Sequence, residues 1–242
     1  MWIRAFFLFL LTTLPASAEC VVLLHGLARG PASLTVLENV LTGRGYQVVN
    51  ADYPSTSRAL PELVAYVEEA VTRCPEGPVH VVTHSMGGIL LRLWAIEPGN
   101  SARIGRAVML APPAQGSEIV DTFGDQAWFA WLNGPAGIAL GTGPDGIAAE
   151  LPSVDFPAGV IAGNESLNPV TSALIPGPDD GKVSVTSTLG AGISAHIVLP
   201  VTHTWMMNDP RVILEVLSFL ETGQFRPAMS WLDAFKELSS HR

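Results

Sequence analysis

The chain has 242 residues, of which 48% are hydrophobic and 14% are charged, and its formal net charge at pH 7 is −9. A negative charge of this size disfavours nucleic acids and anionic membrane surfaces as partners, because both repel it. The apolar content excludes a disordered or fibrous chain and is typical of a protein that buries a large sheet.

The first 18 residues have the pattern of a cleaved signal peptide. Arg4 gives a positive start, residues 5–14 form an apolar run, and residues 16–18 read Ala-Ser-Ala. The run is too short to cross a bilayer as a mature helix. We therefore expect export to the periplasm or the extracellular space, with residues 19–242 forming a single domain of ordinary size.

Apolar, β-rich runs alternate with segments of helical periodicity along the rest of the chain. The pattern predicts strands near residues 20–25, 46–51, 78–84, 105–111, 157–163 and 195–200, and helices near residues 32–43, 59–73, 86–97 and 209–222. Continuous apolar strands separated by helices indicate a parallel sheet whose two faces are both covered. The predicted fold class is therefore α/β, a mostly parallel sheet of about six strands with helices on both faces.

Two segments do not fit this alternation. Residues 112–157 are rich in Gly and Pro, carry several aromatic side chains and are too long for a plain connection between strands. Their two interpretations are a cap over one edge of the sheet and an insertion packed onto it. Residues 226–242 place apolar side chains at helical spacing, which predicts a docked amphipathic helix at the C-terminus.

Cys20 and Cys74 are the two cysteines of the chain. Cys20 opens the first predicted strand and Cys74 closes the helix before the third, so both belong at the amino edge of the sheet. An exported protein meets oxidising conditions, which favour a disulfide. The sequence does not supply the distance that a disulfide needs, so two buried or free thiols are the alternative.

Ser85 ends a short apolar strand and is followed by Met86 and two glycines. A serine on a tight turn between a strand and a helix is exposed as a nucleophile, and the residues two before and two after it must be small. Gly87 meets this requirement. Thr83 departs from the usual glycine but is still fairly small. The alternative is an ordinary Gly-Gly loop.

A serine hydroxyl becomes nucleophilic when a base takes its proton, and an acid must orient that base. His203 is the favoured base, because it lies in the loop after the last predicted strand and can reach the edge of the sheet where Ser85 lies. His25 and His84 are expected to be structural. The remaining histidines lie in strands or in the tail and are not favoured: His80, His196 and His241.

Asp180, directly before Gly181, is the favoured acid, and the adjacent Asp179 is its nearest competitor. This pair of carboxylates has two other interpretations. A cation site is disfavoured because no regular loop of further ligands surrounds them. A solvated turn is the structural alternative, since Asp-Gly is favourable turn chemistry.

Attack on a carbonyl group also requires fixed donors for the negative charge that develops on oxygen. The backbone amide of Met86, at the start of the helix after Ser85, is one candidate. The second is the amide of Leu27, in the loop after the first strand, where Gly26 lets the backbone approach closely.

Taken together, His25-Gly26-Leu27, Thr83-His-Ser-Met-Gly-Gly88, Asp180-Gly181 and the late His203 resemble an α/β hydrolase of the lipase and esterase kind. The chain is most similar to the minimal bacterial lipases, which lack the first two strands of the full sheet. The resemblance implies Ser85 as nucleophile, His203 as base, Asp180 as orienting acid, and the amides of Leu27 and Met86 as the oxyanion hole.

The leading functional hypothesis is a serine hydrolase that cleaves carboxylic esters through an acyl-Ser85 intermediate. Its substrate would be a small-molecule or lipid ester, with transient contact to a lipid interface, and the sequence indicates no organic cofactor or metal. A thioesterase, amidase or acyltransferase with the same residues is the first alternative. A binding protein on a hydrolase scaffold is the alternative from another class.

Overall fold

The computed structural model describes residues 18–143 and 146–240. The predicted signal peptide lies outside the described residues except for Ala18, and so does His241.

The described residues form one sheet of six strands. These are β1 (Cys20–Leu24), β2 (Gln47–Asn50), β3 (Val79–His84), β4 (Ile104–Leu110), β5 (Ala158–Gly163) and β6 (Ala195–Leu199). The strand order is β2-β1-β3-β4-β5-β6, and every neighbouring pair is parallel. The predicted fold class is confirmed, and each predicted strand agrees with an observed one to within a residue at either end.

The helices of the described residues cover both faces of this sheet. They are α1 (Thr35–Gly43), α2 (Leu60–Thr72), α3 (Met86–Ala95), α4 (Glu118–Phe123), α5 (Ala127–Ile138), α6 (Pro169–Ser172), α7 (Pro210–Thr222) and α8 (Trp231–Ser240). Alternate residues of β1 face opposite sides, as its pleat requires. Val22 and Leu24 pack with α2 and α3, whereas Val21 and Leu23 pack with α1 and α7.

The strand order places a topological switch between β1 and β3. The chain passes from β1 outward to β2 and then returns to the other side of β1 for β3, β4, β5 and β6. In open parallel sheets a crevice forms at such a point, outside the carboxyl ends of the strands. The loops that follow β1 and β3 meet there, and they begin at His25 and Ser85.

The segment 112–157 contains two helices, α4 and α5, that the sequence pattern did not predict. Its attachment to the rest of the fold is specific. Gly134 interrupts α5 with φ +64°, and a Cβ atom there would lie 1.6 Å from the carbonyl oxygen of Thr56. The buried guanidinium of Arg92 on α3 donates to the carbonyl groups of Ala114 and Pro152 at the two ends of the segment.

The C-terminal helix α8 packs its buried Ala234 and its half-buried Leu238 against the α7 side of the core. Trp231, Leu232 and Phe235 are exposed on its outer side. The helix begins at Trp231, five residues later than the start of the predicted amphipathic segment.

A disulfide joins Cys20 to Cys74, with 5.8 Å between their Cα atoms and 54 residues of sequence separation. The structure therefore selects the disulfide over the two thiols. It ties the first residue of β1 to the end of the α2 region, at the edge of the sheet opposite to Ser85.

Removal of this disulfide in the double variant Cys20→Ala/Cys74→Ala should lower the free energy of unfolding by about 2–4 kcal/mol, because a long loop of the unfolded chain is no longer closed. Urea unfolding followed by circular dichroism measures the change. A reductant should shift the midpoint of the wild type and leave that of the double variant unchanged. Equal midpoints for the two proteins without reductant would contradict the prediction.

Candidate active site

Ser85 lies on a strained turn between β3 and α3. Its backbone has φ +53° and ψ −122°, a conformation that residues other than glycine rarely adopt. Two backbone hydrogen bonds hold it there: Ser85 N donates to Leu110 O at 2.8 Å, and Gly88 N donates to Ser85 O at 2.9 Å. The side chain is thereby presented beyond the carboxyl edge of the sheet, as the sequence motif predicts.

Glycines around the turn permit the close packing that it needs. A Cβ atom at Gly87 would lie 2.5 Å from Leu24 O, so a larger residue would push α3 away from β1. Thr83, which departs from the usual glycine, is fully buried. A Cβ atom at residue 88 would lie 3.2 Å from the hydroxyl oxygen of Thr83. Thr83 therefore fits at its position because residue 88 is a glycine.

His203 and Asp180 form a buried hydrogen-bonded pair. His203 Nδ1 lies 2.7 Å from Asp180 Oδ2, and both residues are at most 4% exposed. The other carboxylate oxygen, Oδ1, accepts the backbone amides of Lys182 at 3.0 Å and Val183 at 2.8 Å. The backbone of His203 is held as well, because its N–H donates to Asp180 O at 2.9 Å. The orientation of the imidazole is therefore set by both the side chain and the main chain of Asp180.

The neighbouring Asp179 has a different role. Its Oδ1 accepts the amide of Gly181 at 2.7 Å, and its Oδ2 accepts the hydroxyl of Ser172 on α6. Of the two candidate acids, Asp180 is the one that contacts His203. Each carboxylate oxygen of Asp179 and Asp180 accepts a hydrogen bond from the protein. A cation site at these two residues is therefore disfavoured by the structure as well.

Ser85, His203 and Asp180 line a single cavity of about 380 Å³. One wall is largely apolar and comes from the segment 112–157, through Ile119, Trp128, Phe129, Leu132 and Leu140. Among the described residues, the Ser85 hydroxyl forms no hydrogen bond, whereas His203 keeps its bond to Asp180. The structure thus brings the three predicted side chains to one cavity, with one of their two expected hydrogen bonds formed.

The two predicted oxyanion amides belong to the residue after Ser85 and to the residue after Gly26, which lies close to Ser85. Met86 is the first residue of α3, and Leu27 lies in the cavity wall. Neither amide donates to another group of the described residues. The β1 loop comes close because residue 26 is a glycine: a Cβ atom there would lie 3.2 Å from Ser85 Cβ and 2.8 Å from His84 Nδ1.

Comparison with known proteins supports this assignment of the fold. The sequence profile of the alpha/beta hydrolase family matches residues 21–234. The chain belongs to the α/β hydrolase family. No curated protein matches it in sequence.

Solved structures similar to this α/β hydrolase include several lipases and esterases. The mature lipase BlEst2 of Bacillus licheniformis superposes with a TM-score of 0.66 at 16% identity, over 88% of this chain and 95% of that one. A metagenomic carboxyl esterase gives a TM-score of 0.63 at 17% identity, over 93% and 76%. The phospholipase PlaB of Legionella pneumophila gives 0.69 at 15% identity, and the match covers 93% of this chain and 62% of PlaB. At these identities the similarity establishes the fold.

His25 supports the β1 loop of this hydrolase. Its ring stacks on Tyr53 with 3.8 Å between centroids, and its Nδ1 lies 2.9 Å from Gly26 O. The Tyr53 hydroxyl donates in turn to His25 O. Burial lowers the pKa of His25, opposed by the bond to Gly26 and the charge of Asp52. The expected structural role is consistent with these contacts.

His84 contacts the main chain of the predicted base, a relation that the sequence analysis missed. Its Nε2 donates to the carbonyl oxygen of His203 at 3.0 Å, and the two rings are 4.8 Å apart. Burial lowers the pKa of His84 well below its ordinary value, with further lowering by the charges of His203 and Arg29. A neutral ring that donates from Nε2 has no proton on Nδ1, which is buried without a partner. His84 therefore acts as a neutral donor that fixes the position of His203.

Replacing His84 with leucine should slow the labelling of Ser85 by a fluorophosphonate about 10- to 100-fold, because the His203 carbonyl group loses its donor and the imidazole loses its position. The His84→Gln variant, whose amide can donate, should lose less. Labelling rates per folded molecule, with the folded fraction taken from thermal melting, measure the effect. His196→Leu is the matched control, since His196 bonds to Thr188 and does not line the cavity. Equal rates for His84→Leu and this control would contradict the proposed contact.

Proposed function

We propose that this α/β hydrolase cleaves carboxylic esters through an acyl-Ser85 intermediate. The observation that carries the proposal is the buried His203–Asp180 pair in the wall of the cavity that also contains the strained Ser85. A base held in one orientation, in the same cavity as a serine hydroxyl that has no hydrogen-bond partner among the described residues, is suited to nucleophilic acyl transfer.

In the first half-reaction, Ser85 Oγ bonds to the ester carbonyl carbon while its proton passes to His203 Nε2. This step requires contact near 3 Å, so the free hydroxyl turns toward the imidazole as substrate binds. Asp180 accepts a hydrogen bond from Nδ1–H of His203 and stabilises the imidazolium. The proton then passes to the alcohol oxygen as the C–O bond breaks. In the second half-reaction water replaces the alcohol, and the carboxylic acid leaves.

The amides of Leu27 and Met86 stabilise the oxyanion of each tetrahedral intermediate. Both amides lack a partner within the described residues, so they can donate to substrate without breaking a bond of the fold. Loss of one such donor costs about 3–4 kcal/mol of transition-state stabilisation in comparable sites. Gly26 and Gly87 serve this function indirectly, because they let the β1 loop approach Ser85 and α3 approach β1.

The apolar cavity wall favours an acyl chain or another apolar group of the substrate. Several exposed apolar residues extend from it, with Trp131 85% exposed and Leu132 52% exposed on α5. We propose that the segment 112–157 acts as a cap and that this exposed side makes transient contact with lipid. None of the described helices combines the length and the apolar character needed to span a bilayer.

Export is also part of the proposal. The signal-peptide pattern of residues 1–18 supports it, and so does the disulfide between Cys20 and Cys74, since disulfides persist in oxidising compartments.

The Ser85→Ala variant should lose p-nitrophenyl ester hydrolysis by at least about 10³-fold, because no other group can carry the acyl intermediate. Release of p-nitrophenol from short- and long-chain esters measures it. Ser57→Ala, an exposed serine substituted in the same way, is the matched control and should hydrolyse as the wild type does. Equal rates for wild type and Ser85→Ala would refute the proposed function. A competing alcohol separates hydrolysis from acyl transfer, because transfer yields a new ester.

A further inference from the structure

Two cations line the cavity that contains Ser85: Arg29 and Lys182. The chain is acidic, with 13 Lys and Arg residues against 22 Asp and Glu residues. Because cations are scarce in this chain, its composition alone does not account for two of them in one cavity.

Arg29 connects the two loops on either side of the predicted reaction centre. It follows Leu27 and Ala28, and the left-handed backbone of Ala28, with φ +53°, turns the loop between the oxyanion amide and the arginine. Its Nη2 donates to the carbonyl oxygen of Thr204, the residue after His203, at 3.3 Å. No other donor of the guanidinium group has a partner in the described residues, so these N–H groups are available to a ligand.

Lys182 lines the cavity from the loop that contains Asp180. Its backbone amide bonds to Asp180 Oδ1, which fixes the start of its side chain beside the predicted acid. Burial lowers the pKa of its ammonium, although the residue as a whole is exposed. The charge of Arg29 lowers that pKa further and Asp180 raises it, so Arg29 and Lys182 are close enough to repel each other.

Among the described residues, the cavity contains one carboxylate, that of Asp180, which raises the pKa of Lys182 but forms no ion pair with either cation. The oxygens of Asp180 already accept bonds from His203, Lys182 and Val183. Neither cation forms an ion pair within 4.0 Å of any described residue. Three other arginines of the described residues form such pairs, at Arg58–Glu62, Arg211–Asp209 and Arg226–Glu237. Arg92 and Arg106 donate to main-chain carbonyl groups instead. Two unpaired like charges in a partly enclosed cavity attract an anion strongly.

We infer that Arg29 and Lys182 bind an anionic group of the substrate, so that the substrate class is an ester bearing a phosphate or a carboxylate. The inference rests on the proposed function. The guanidinium N–H groups and the ammonium hold the anion, and the apolar wall formed by residues such as Phe129 and Leu140 holds the hydrocarbon part. The ester then lies between the two regions, next to Ser85.

Matched substrates test this inference with the purified protein. The phosphate pair is 1-octanoylglycerol 3-phosphate and 1-octanoylglycerol, and the carboxylate pair is monooctyl succinate and octyl pentanoate. The wild type should show a kcat/KM at least about 10-fold higher for the charged member of one pair, and the pair that shows the preference identifies the anion. Added salt should reduce the preference, because the attraction is electrostatic.

Arg29→Gln and Lys182→Gln should each lower kcat/KM for the charged ester about 10-fold or more and change that for the neutral ester by less than about 3-fold. Lys236→Gln is the matched control, because Lys236 is exposed on α8, outside the cavity lining, and should leave both values unchanged. Equal kcat/KM values of the wild type for the charged and neutral members of both pairs would overturn the inference. Equal losses on both members would also overturn it, because the cations would then act on the oxyanion rather than on the substrate's own charge.

A binding measurement separates failure of this inference from failure of the proposed function. Calorimetric titration of Ser85→Ala with 1-octanoylglycerol 3-phosphate and with monooctyl succinate should show binding of at least one of them, weakened about 10-fold or more by adding Arg29→Gln. Binding without hydrolysis by the wild type would retain the anion site and refute the ester hydrolase. Hydrolysis of neutral esters without anion binding would retain the hydrolase and refute the anion site.

Discussion

The hydrogen bond between His203 Nδ1 and Asp180 Oδ2 is the interaction on which the candidate site depends. It is buried, and the main chain reinforces it from both sides, since the His203 amide donates to Asp180 O and its carbonyl group accepts from His84 Nε2. A histidine held at its side chain, its backbone amide and its carbonyl group loses little freedom when substrate binds. Its Nε2 forms no hydrogen bond within the described residues, and His203 and Ser85 line the same cavity. The proposed proton transfers use that remaining nitrogen.

The parallel sheet brings this pair to the serine because every strand ends at the same edge. The switch of strand order between β1 and β3 opens the crevice there, and glycines at positions 26 and 87 let the loop and helix close around Ser85. The disulfide constrains the opposite edge, away from the chemistry. The negative net charge does not prevent Arg29 and Lys182 from attracting an anion. The net charge is spread over the whole protein, whereas these two side chains lie at the cavity itself.

The sequence was sufficient to predict the sheet, the flanking helices and the residues that meet at the cavity, because hydrophobic period and motif spacing are local signals. It did not predict α4 and α5, since their Gly- and Pro-rich segment has no clear period and its path depends on contacts such as Gly134 with Thr56. Four features could be established only from distances across the fold. They are the choice between Asp179 and Asp180, the disulfide, the contact of His84 with His203, and the shared cavity of Arg29 and Lys182. The separation of two residues along a single sequence does not determine such distances.

In the proposed mechanism Asp180 controls the imidazole of His203, and the adjacent Asp179 offers a control of the same chemistry. The most direct measurement is kcat for p-nitrophenyl ester hydrolysis by Asp180→Asn and by Asp179→Asn. We expect a loss of about 10³- to 10⁴-fold for Asp180→Asn, because an amide favours the wrong tautomer of the imidazole. We expect less than about 10-fold for Asp179→Asn, because the Asp179 carboxylate bonds to Ser172 and Gly181 instead. Comparable losses in the two variants, or a larger loss for Asp179→Asn, would show that Asp180 does not control the imidazole.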